Sequence, residues 1–338
     1  MSNCPIQKRV DIGGQAVMEG VMMKGPEAIA VAVRRPDGRI VVKRDAYVPL
    51  SKKHKWMGYP VIRGVISMGS MLSLGMKTLQ TSTNMLGIMD EEPTKFEKWL
   101  SKKLGKGIDK IVMGTAAVLA VILALGLFFV IPSVAGSFIR QHFESKVVVN
   151  LLEGLVRILI LIGYMIFCGS IPDVRRTFQY HGAEHKTVYC HENNLPLTPE
   201  NASKFSALHP RCGTTFLLIV FVLAILLYTV AGYNGSNYIL RLLSRLALLP
   251  VVAGVSYEVL KGLAHANGKL VNALRWPGLM MQKLTTRTPD NKMLEVAIAA
   301  MNAALYGLPE GEKTKDGYII VNTTPKAEVM PEVQAAQA

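Results

Sequence analysis

Four of the seven histidines and two of the four cysteines fall between Tyr180 and Cys212, in a stretch that reads YHGAEHKTVYCHENNLPLTPENASKFSALHPRC. Its first part, His181-Gly182-Ala183-Glu184-His185, has the pattern H-x-x-E-H. On a helix, His181 and His185 are four apart and share a face. Two imidazoles on one face can chelate a divalent metal ion, with zinc the expected one, and the carboxylate beside them can activate a bound water. The same spacing occurs in inverted zinc-hydrolase motifs. Gly182 works against the helix that this reading needs.

His209 and Cys212, in HPRCG, supply two more ligands of suitable softness. The metal set read from the sequence is therefore His181, His185, His209 and Cys212, with Glu184 as the catalytic general base. Taken singly, His209 also reads as a helix cap and Cys212 as a small apolar residue. Cys190-His191-Glu192 forms an alternate cluster that joins the set only if the helix breaks after His185. Glu258 either reaches the same site or pairs with Lys261. Met18, Met22 and Met23 read as packing residues rather than soft-metal ligands. Glu19 is the one acidic side chain among them.

The elements that must hold these residues follow from composition. Half of the 338 residues are hydrophobic and 18% are charged, below the roughly 25% of soluble proteins. The apolar residues are clumped, which indicates an α-helical polytopic membrane protein. The formal charge of +14 is explained by membrane orientation rather than by nucleic acid, because no recognition motif accompanies it. The cysteines show no disulfide-framework spacing, and no secretory signal peptide is evident.

Four spans of membrane length stand out, at about 111–131, 147–171, 214–231 and 238–259. Pro132-Ser133 is expected to end the first. The second carries Glu153 and Arg157, four apart and able to pair. In the fourth, Arg241 and Arg245 are expected to snorkel outward. The His/Cys-rich loop, 173–211, lies between the second and third spans of this 111–260 membrane domain.

Residues 1–60 read as a small N-terminal α+β region. Ala28–Val33 and Arg39–Tyr47 are strands of a β-hairpin around Arg35-Pro36-Asp37-Gly38. Residues 61–110 are an amphipathic or interfacial region, in which small residues from Gly64 to Gly75 favour close helix packing. Residues 90–110 within it form a charged helix or linker. Gly232–Ser236 is a tight turn. The C-terminal region, 261–325, is helical: Thr288-Pro289-Asp290-Asn291 supplies a cap and a first-turn proline for a helix to about Leu305. Residues 326–338 form a disordered tail.

Lys and Arg flank the first span on its N-terminal side and the fourth on its C-terminal side, and the His/Cys loop carries five more. Both termini and that loop are therefore expected in the cytosol, with the chain multi-pass in the cell membrane.

The stretches GGQAVMEGVMMKGP, YHGAEHKTVYCHENN, LHPRCGT and LTTRTPD together resemble the YqhQ-like bacterial membrane proteins, a family that carries a domain of unknown function. The resemblance spans about Val10 to Leu305. It implies a predicted metal-dependent enzyme and names no substrate.

The first functional reading is a metal-dependent hydrolase at the cytoplasmic membrane face, with a lipid headgroup or membrane-anchored peptide as substrate. One alternative is a channel or transporter lined by Glu153, Arg157 and Glu258. Four spans are few for a pore, so that reading requires a homo-oligomer. The other is a non-catalytic assembly protein in which metal staples the loop. Three ligands plus water favour an enzyme, and a closed four-ligand site favours the staple.

Overall fold

The computed structural model describes residues 12–48, 55–87, 108–232, 237–266, 268–314 and 317–321. The tail 326–338, the charged segment 88–107 and most of the turn 232–236 lie outside them.

The expected hairpin is present as β3 (Ala28–Arg34) and β4 (Ile40–Ala46). Asp37 fixes its turn: its carboxylate accepts from the Arg39 amide at 3.0 Å and from the Arg39 side chain at 2.8 Å. Gly38 takes the left-handed conformation there, at φ +87°. Three further strands were not evident from the sequence. β1 (Gly13–Val17) and β2 (Gly20–Lys24) form a second hairpin, closed by Met18 and Glu19, with Glu19 at φ +51°. A short β5 (Ile319–Val321) from the far end of the chain pairs with β4. The result is one antiparallel sheet in the order β1-β2-β3-β4-β5.

The sheet is covered on both faces, and the two-residue period of β3 sorts its side chains between them. Ala30 and Ala32 face helices α5 (Pro172–Glu192) and α10 (Asn291–Tyr306), packing with Tyr180, Ala183, Leu294, Ala297 and Ala300. Ile29, Val31 and Val33 face the end of α1 (Ile62–Leu86), around Met85 and Leu86. Alanines on both the strand and α10 let the helix lie close. Leu294, 1% exposed, is the kind of core residue whose truncation to alanine costs about 2–5 kcal/mol. Helix α10 ends one residue beyond the expected Leu305. Its cap is Asp290, not the Thr288 side of the motif, and accepts from the Met293 amide at 2.7 Å. A carboxylate at that position also complements the helix dipole.

Among the described residues, four stretches are long and apolar enough to cross a membrane: Gly114–Ile139, Lys146–Ser170, Gly213–Val230 and Ile239–Leu263. The first takes in α2 (Ile108–Leu125) from Gly114 onward, a π-turn segment (Gly126–Val130) and α3 (Ile131–Ile139). It therefore runs through Pro132 instead of ending there. Proline has no amide hydrogen for the carbonyl four residues back, which is Phe128. Arg157 supplies the missing donor, its Nε bonding the Phe128 oxygen at 2.9 Å.

The other three are α4 (Lys146–Ser170), α7 (Gly213–Val230) and α8 (Tyr238–His265). Arg241 and Arg245 of α8 do not snorkel outward. Both turn into the bundle, where Ser137 accepts from Arg241, and Ser133 and Glu153 accept from Arg245. Glu153 and Arg157 pair as expected, at 3.3 Å.

Helix α1 bridges the two parts of the molecule. Gly64 abuts α8, where a Cβ would come within 2.9 Å of the Gly254 Cα, and Gly75 abuts the Gln15 side chain of β1. Of the recurring small residues, Gly64 and Gly75 are spaces for close packing, whereas Gly69 is exposed with nothing near its Cβ position. Between α4 and α7, the expected loop is mostly helix: α5 starts on Pro172, with Asp173 in its first turn, and continues to Glu192. A short α6 (Pro199–Ser203) and a return segment lead to α7. Helix α9 (Lys269–Thr285) then passes beside α7, where a Cβ at Gly278 would meet Thr215.

Candidate metal centre

Because α5 is helical through the H-x-x-E-H segment, His181, His185, Tyr189 and Glu192 share one face at three- and four-residue spacing. The 205–212 return lies along that face. Lys186 pins it by donating to the Ser203 carbonyl at 2.7 Å and to that of Phe205. Burial pushes the Lys186 ammonium below the ordinary lysine range. Gly182, which weakens a helix in isolation, is there for space: a Cβ would overlap the carbonyl oxygen of Arg287. Without that space the 285–289 segment would not reach His181.

The two imidazoles are oriented by backbone carbonyls. His181 Nδ1 bonds the Thr285 oxygen at 2.8 Å, and His185 Nδ1 bonds the Ala207 oxygen at 2.5 Å. A carbonyl only accepts, so each Nδ1 carries the hydrogen. In the neutral ring this leaves Nε2 with a lone pair. Metal-bound histidines are held by the same kind of backing bond. His181 Nε2 lies 3.3 Å from Cys212 Sγ. His181, His185 and Cys212 each place one ligand atom within 4.8 Å of the others.

Cys212 is also the N-cap of α7. Its sulfur accepts from the Thr214 amide at 3.4 Å and contacts the Thr214 hydroxyl at 3.2 Å. The helix dipole favours negative charge at that position.

Glu184 completes the surround. Its Oε2 lies 3.6 Å from His185 Nε2 and 4.0 Å from His181 Nε2, while Oε1 accepts from the Gly14 amide at 2.9 Å. The first two distances are beyond hydrogen-bond range but within reach of a group bound between them. Gly14 permits the approach: a Cβ there would sit 2.5 Å from the Met22 oxygen and 2.8 Å from Glu184 Cγ. The site thus gathers two nitrogen lone pairs, a carboxylate and one thiol. Acceptors outnumber hydrogens, and a cation balances such a set. Two imidazole nitrogens and a sulfur are a donor set that zinc takes readily.

His209 is close but stands outside this group of three. Its Nδ1 accepts from the Arg211 amide at 3.3 Å, and its Nε2 faces Glu192 Oε2 at 3.3 Å. Both nitrogens are therefore engaged away from the lone pairs of His181 and His185. Burial pushes its imidazole down, opposed by the charge of Glu184. Glu192 also pairs with Arg211. Gln282 clamps the His209 backbone, accepting from its amide at 2.8 Å and donating to its carbonyl at 2.7 Å. Cys190 is buried against the Leu195 and Pro196 carbonyls, with its thiol pushed up by burial, and takes no part in the cluster. Glu258 is not in the cluster of three; its ion pair is with Arg63, and Lys261 acts on it only through charge. Arg63 of α1 grips both its oxygens, at 2.7 and 2.5 Å.

Met22 and Met23 are buried in the sheet core as packing residues, and Met18 is exposed. Glu19 pairs with Arg176 of α5 and receives the Tyr180 hydroxyl at 3.4 Å, tying the β1–β2 turn to the helix that carries the site. Gly14, Thr285 and Gln282 were not singled out from the sequence. Gly14 lies within the conspicuous GGQAVMEG stretch and Thr285 within LTTRTPD, so the signal was present at the level of the motif.

A family model described as "Protein of unknown function (DUF1385)" matches residues 59–306. A curated relative, described as "Uncharacterized protein YqhQ" of Bacillus subtilis (strain 168), is 33% identical over 300 residues, covering 87% of this chain and 92% of the relative. No solved structure matches. Neither description mentions a metal or an enzyme.

Proposed function

We propose a function for a chain that belongs to the DUF1385 family, a family described as being of unknown function: a zinc-dependent hydrolase acting at a membrane face. The observation that carries the reading is the convergence of His181, His185 and Cys212, with each histidine backed through Nδ1 by a backbone carbonyl. Zinc held by these three residues would supply Lewis-acid chemistry toward an oxygen ligand.

The remaining work falls to the chain itself. Glu184 takes the proton of the attacking water at Oε2 and returns it to the leaving group. The Gly14 amide holds Oε1 and so aims the other oxygen. Position suggests the substrate. Cys212 immediately precedes α7, and α5 follows α4 with one residue between, so the centre lies at one end of the apolar bundle. A lipid headgroup or a membrane-anchored peptide fits that placement. By the Lys/Arg bias this is the cytoplasmic face of the cell membrane, with both termini in the cytosol.

The structural-staple reading has one observation in its favour. Glu184 Oε2 is within 4.0 Å of both imidazoles and would make a closed four-ligand site if it coordinated. The channel reading gains less, because Glu258 pairs with Arg63 rather than continuing a path from Glu153.

Zinc-loaded protein incubated with vesicles of extracted bacterial membrane lipid and lipoprotein tests the proposal, with water-soluble products followed by mass spectrometry. Product from wild type and none from Glu184→Gln is expected. Equal product from both removes the general-base assignment.

A further inference from the structure

Three arginines are buried among the apolar helices, and among the described residues one buried carboxylate, Glu153, pairs with two of them. Arg241 is 1% exposed, Arg245 2%, Arg157 5% and Glu153 1%. They occupy the end of the bundle remote from the His/Cys centre, since Arg241 and Arg245 lie in the first turns of α8 and Glu153 two turns into α4.

Hydrogen bonds are well provided for Arg245 and Arg157. Arg245 grips Glu153, reaching Oε2 at 2.8 Å, and also meets Ser133 Oγ at 2.9 Å and Asn150 Oδ1 at 3.4 Å. Arg157 reaches Glu153 Oε1 at 3.3 Å. Arg241 donates to Ser137 Oγ at 2.6 Å. The Tyr228 ring lies under both Arg157 and Arg245, at 5.6 and 5.7 Å.

Charge is what falls short. Of the contacts just named, those to Ser133, Ser137, Asn150 and the Tyr228 ring bring no negative charge; the one to Glu153 does. Among the described residues, the fully buried charged side chains of these helices are three cations and one anion. Arg140, just past α3, adds repulsion toward Arg241. Unbalanced charge at membrane depth is rare and marks a ligand or ion site.

We infer that this cluster is an anion site for a phosphate group, carried either by an anionic phospholipid headgroup or by a small soluble phosphate. Guanidinium forks match phosphate oxygens in pairs. Ser133 and Ser137 add hydroxyls beside them. Arg241, one turn from the start of α8, sits at the level where headgroups of that leaflet would lie. The site is separate from the metal centre and rests only on the membrane reading of the four apolar helices.

The test uses full-length protein in neutral detergent, with thermal unfolding followed at constant ionic strength. One arm adds inorganic phosphate in place of chloride; the other adds phosphatidylglycerol or phosphatidylcholine to the micelles. A rise of about 3 °C near saturation, from phosphate or from phosphatidylglycerol but not phosphatidylcholine, is expected. A rise in both arms identifies phosphate itself, and a rise with phosphatidylglycerol alone identifies the lipid. Arg241→Gln should weaken the effect about tenfold, the loss of one charge-assisted hydrogen bond. Glu153→Gln, which removes the carboxylate that faces Arg157 and Arg245, should strengthen it. Arg39→Gln, the same charge change on the exposed sheet turn, should leave it unaltered. No rise in either arm, or equal losses in Arg241→Gln and Arg39→Gln, overturns the inference.

Discussion

Gly14 and Glu184 are 170 positions apart in the chain and are joined by a 2.9 Å hydrogen bond from the glycine amide to the carboxylate Oε1. This contact makes the N-terminal sheet part of the site rather than a separate structural appendage. It leads directly to a mutation.

Gly14→Ala should uncouple the sheet from the site. Its Cβ would collide with the Met22 oxygen and Glu184 Cγ, an overpacking that costs about 1–3 kcal/mol. Denaturant unfolding should register the loss. Metal content should persist, since none of the three proposed ligands is touched. Unfolding identical to wild type would mean that the contact does not constrain Glu184.

Gly182→Ala acts on the opposite side. The added methyl displaces the 285–289 segment, and with it the Thr285 carbonyl that orients His181. Outer partners of metal-bound histidines are typically worth 10–100-fold in affinity. Zinc titration against a competing chelator should therefore show an affinity about tenfold or more below wild type. Unchanged affinity would show that the Thr285 bond is dispensable.

Much of this was legible before the fold. The β3–β4 hairpin followed from AIAVAV and the RPDG turn, and the four apolar stretches from length and composition. The pairing of His181 with His185 followed from their spacing. Cys212 was read as a ligand of suitable softness in HPRCG, and its sulfur lies 3.3 Å from His181 Nε2. Other features depend on contacts between distant segments. Nothing local distinguishes His209, whose nitrogens are taken by Glu192 and the Arg211 amide, from a ligand. Gly182 counted against a helix because propensity ignores the close approach of Arg287. Pro132 failed to end its helix because Arg157, on another helix, replaced the donor that proline lacks. Arg241 and Arg245 turned inward for a similar reason, drawn by groups on α3 and α4.

Acid should weaken the fold through His191. Burial holds its imidazole below the ordinary value of 6.5, so the unfolded chain binds its proton first as pH falls. Stability is then full above about pH 6.5 and declines as pH drops toward the lower folded value. His209, also lowered by burial, acts in the same direction. His191→Gln should flatten part of the decline in a series of thermal melts from neutral to mildly acidic pH. The same slope in the variant would assign the whole effect to other groups.

Orientation has its own check. Asn194 lies two residues past the end of α5, the helix that carries His181 and His185, at φ +54°. A cysteine placed there, in a background lacking the native cysteines, should resist a membrane-impermeant thiol reagent in intact cells and react after lysis. Labelling in intact cells would put the His/Cys face outside.

Metal analysis of purified variants bears most directly on the proposed centre. The full-length protein, purified without chelating resin, should contain about one zinc-like ion per chain. His181→Ala, His185→Ala and Cys212→Ser should each lose most of it. Cys190→Ser and His209→Gln should retain it, because neither side chain joins the cluster. Glu184→Gln should also retain it, as expected of a proton carrier rather than a ligand. If wild-type protein holds no metal, or if the His181 and His185 variants hold as much as wild type, the proposed centre does not exist.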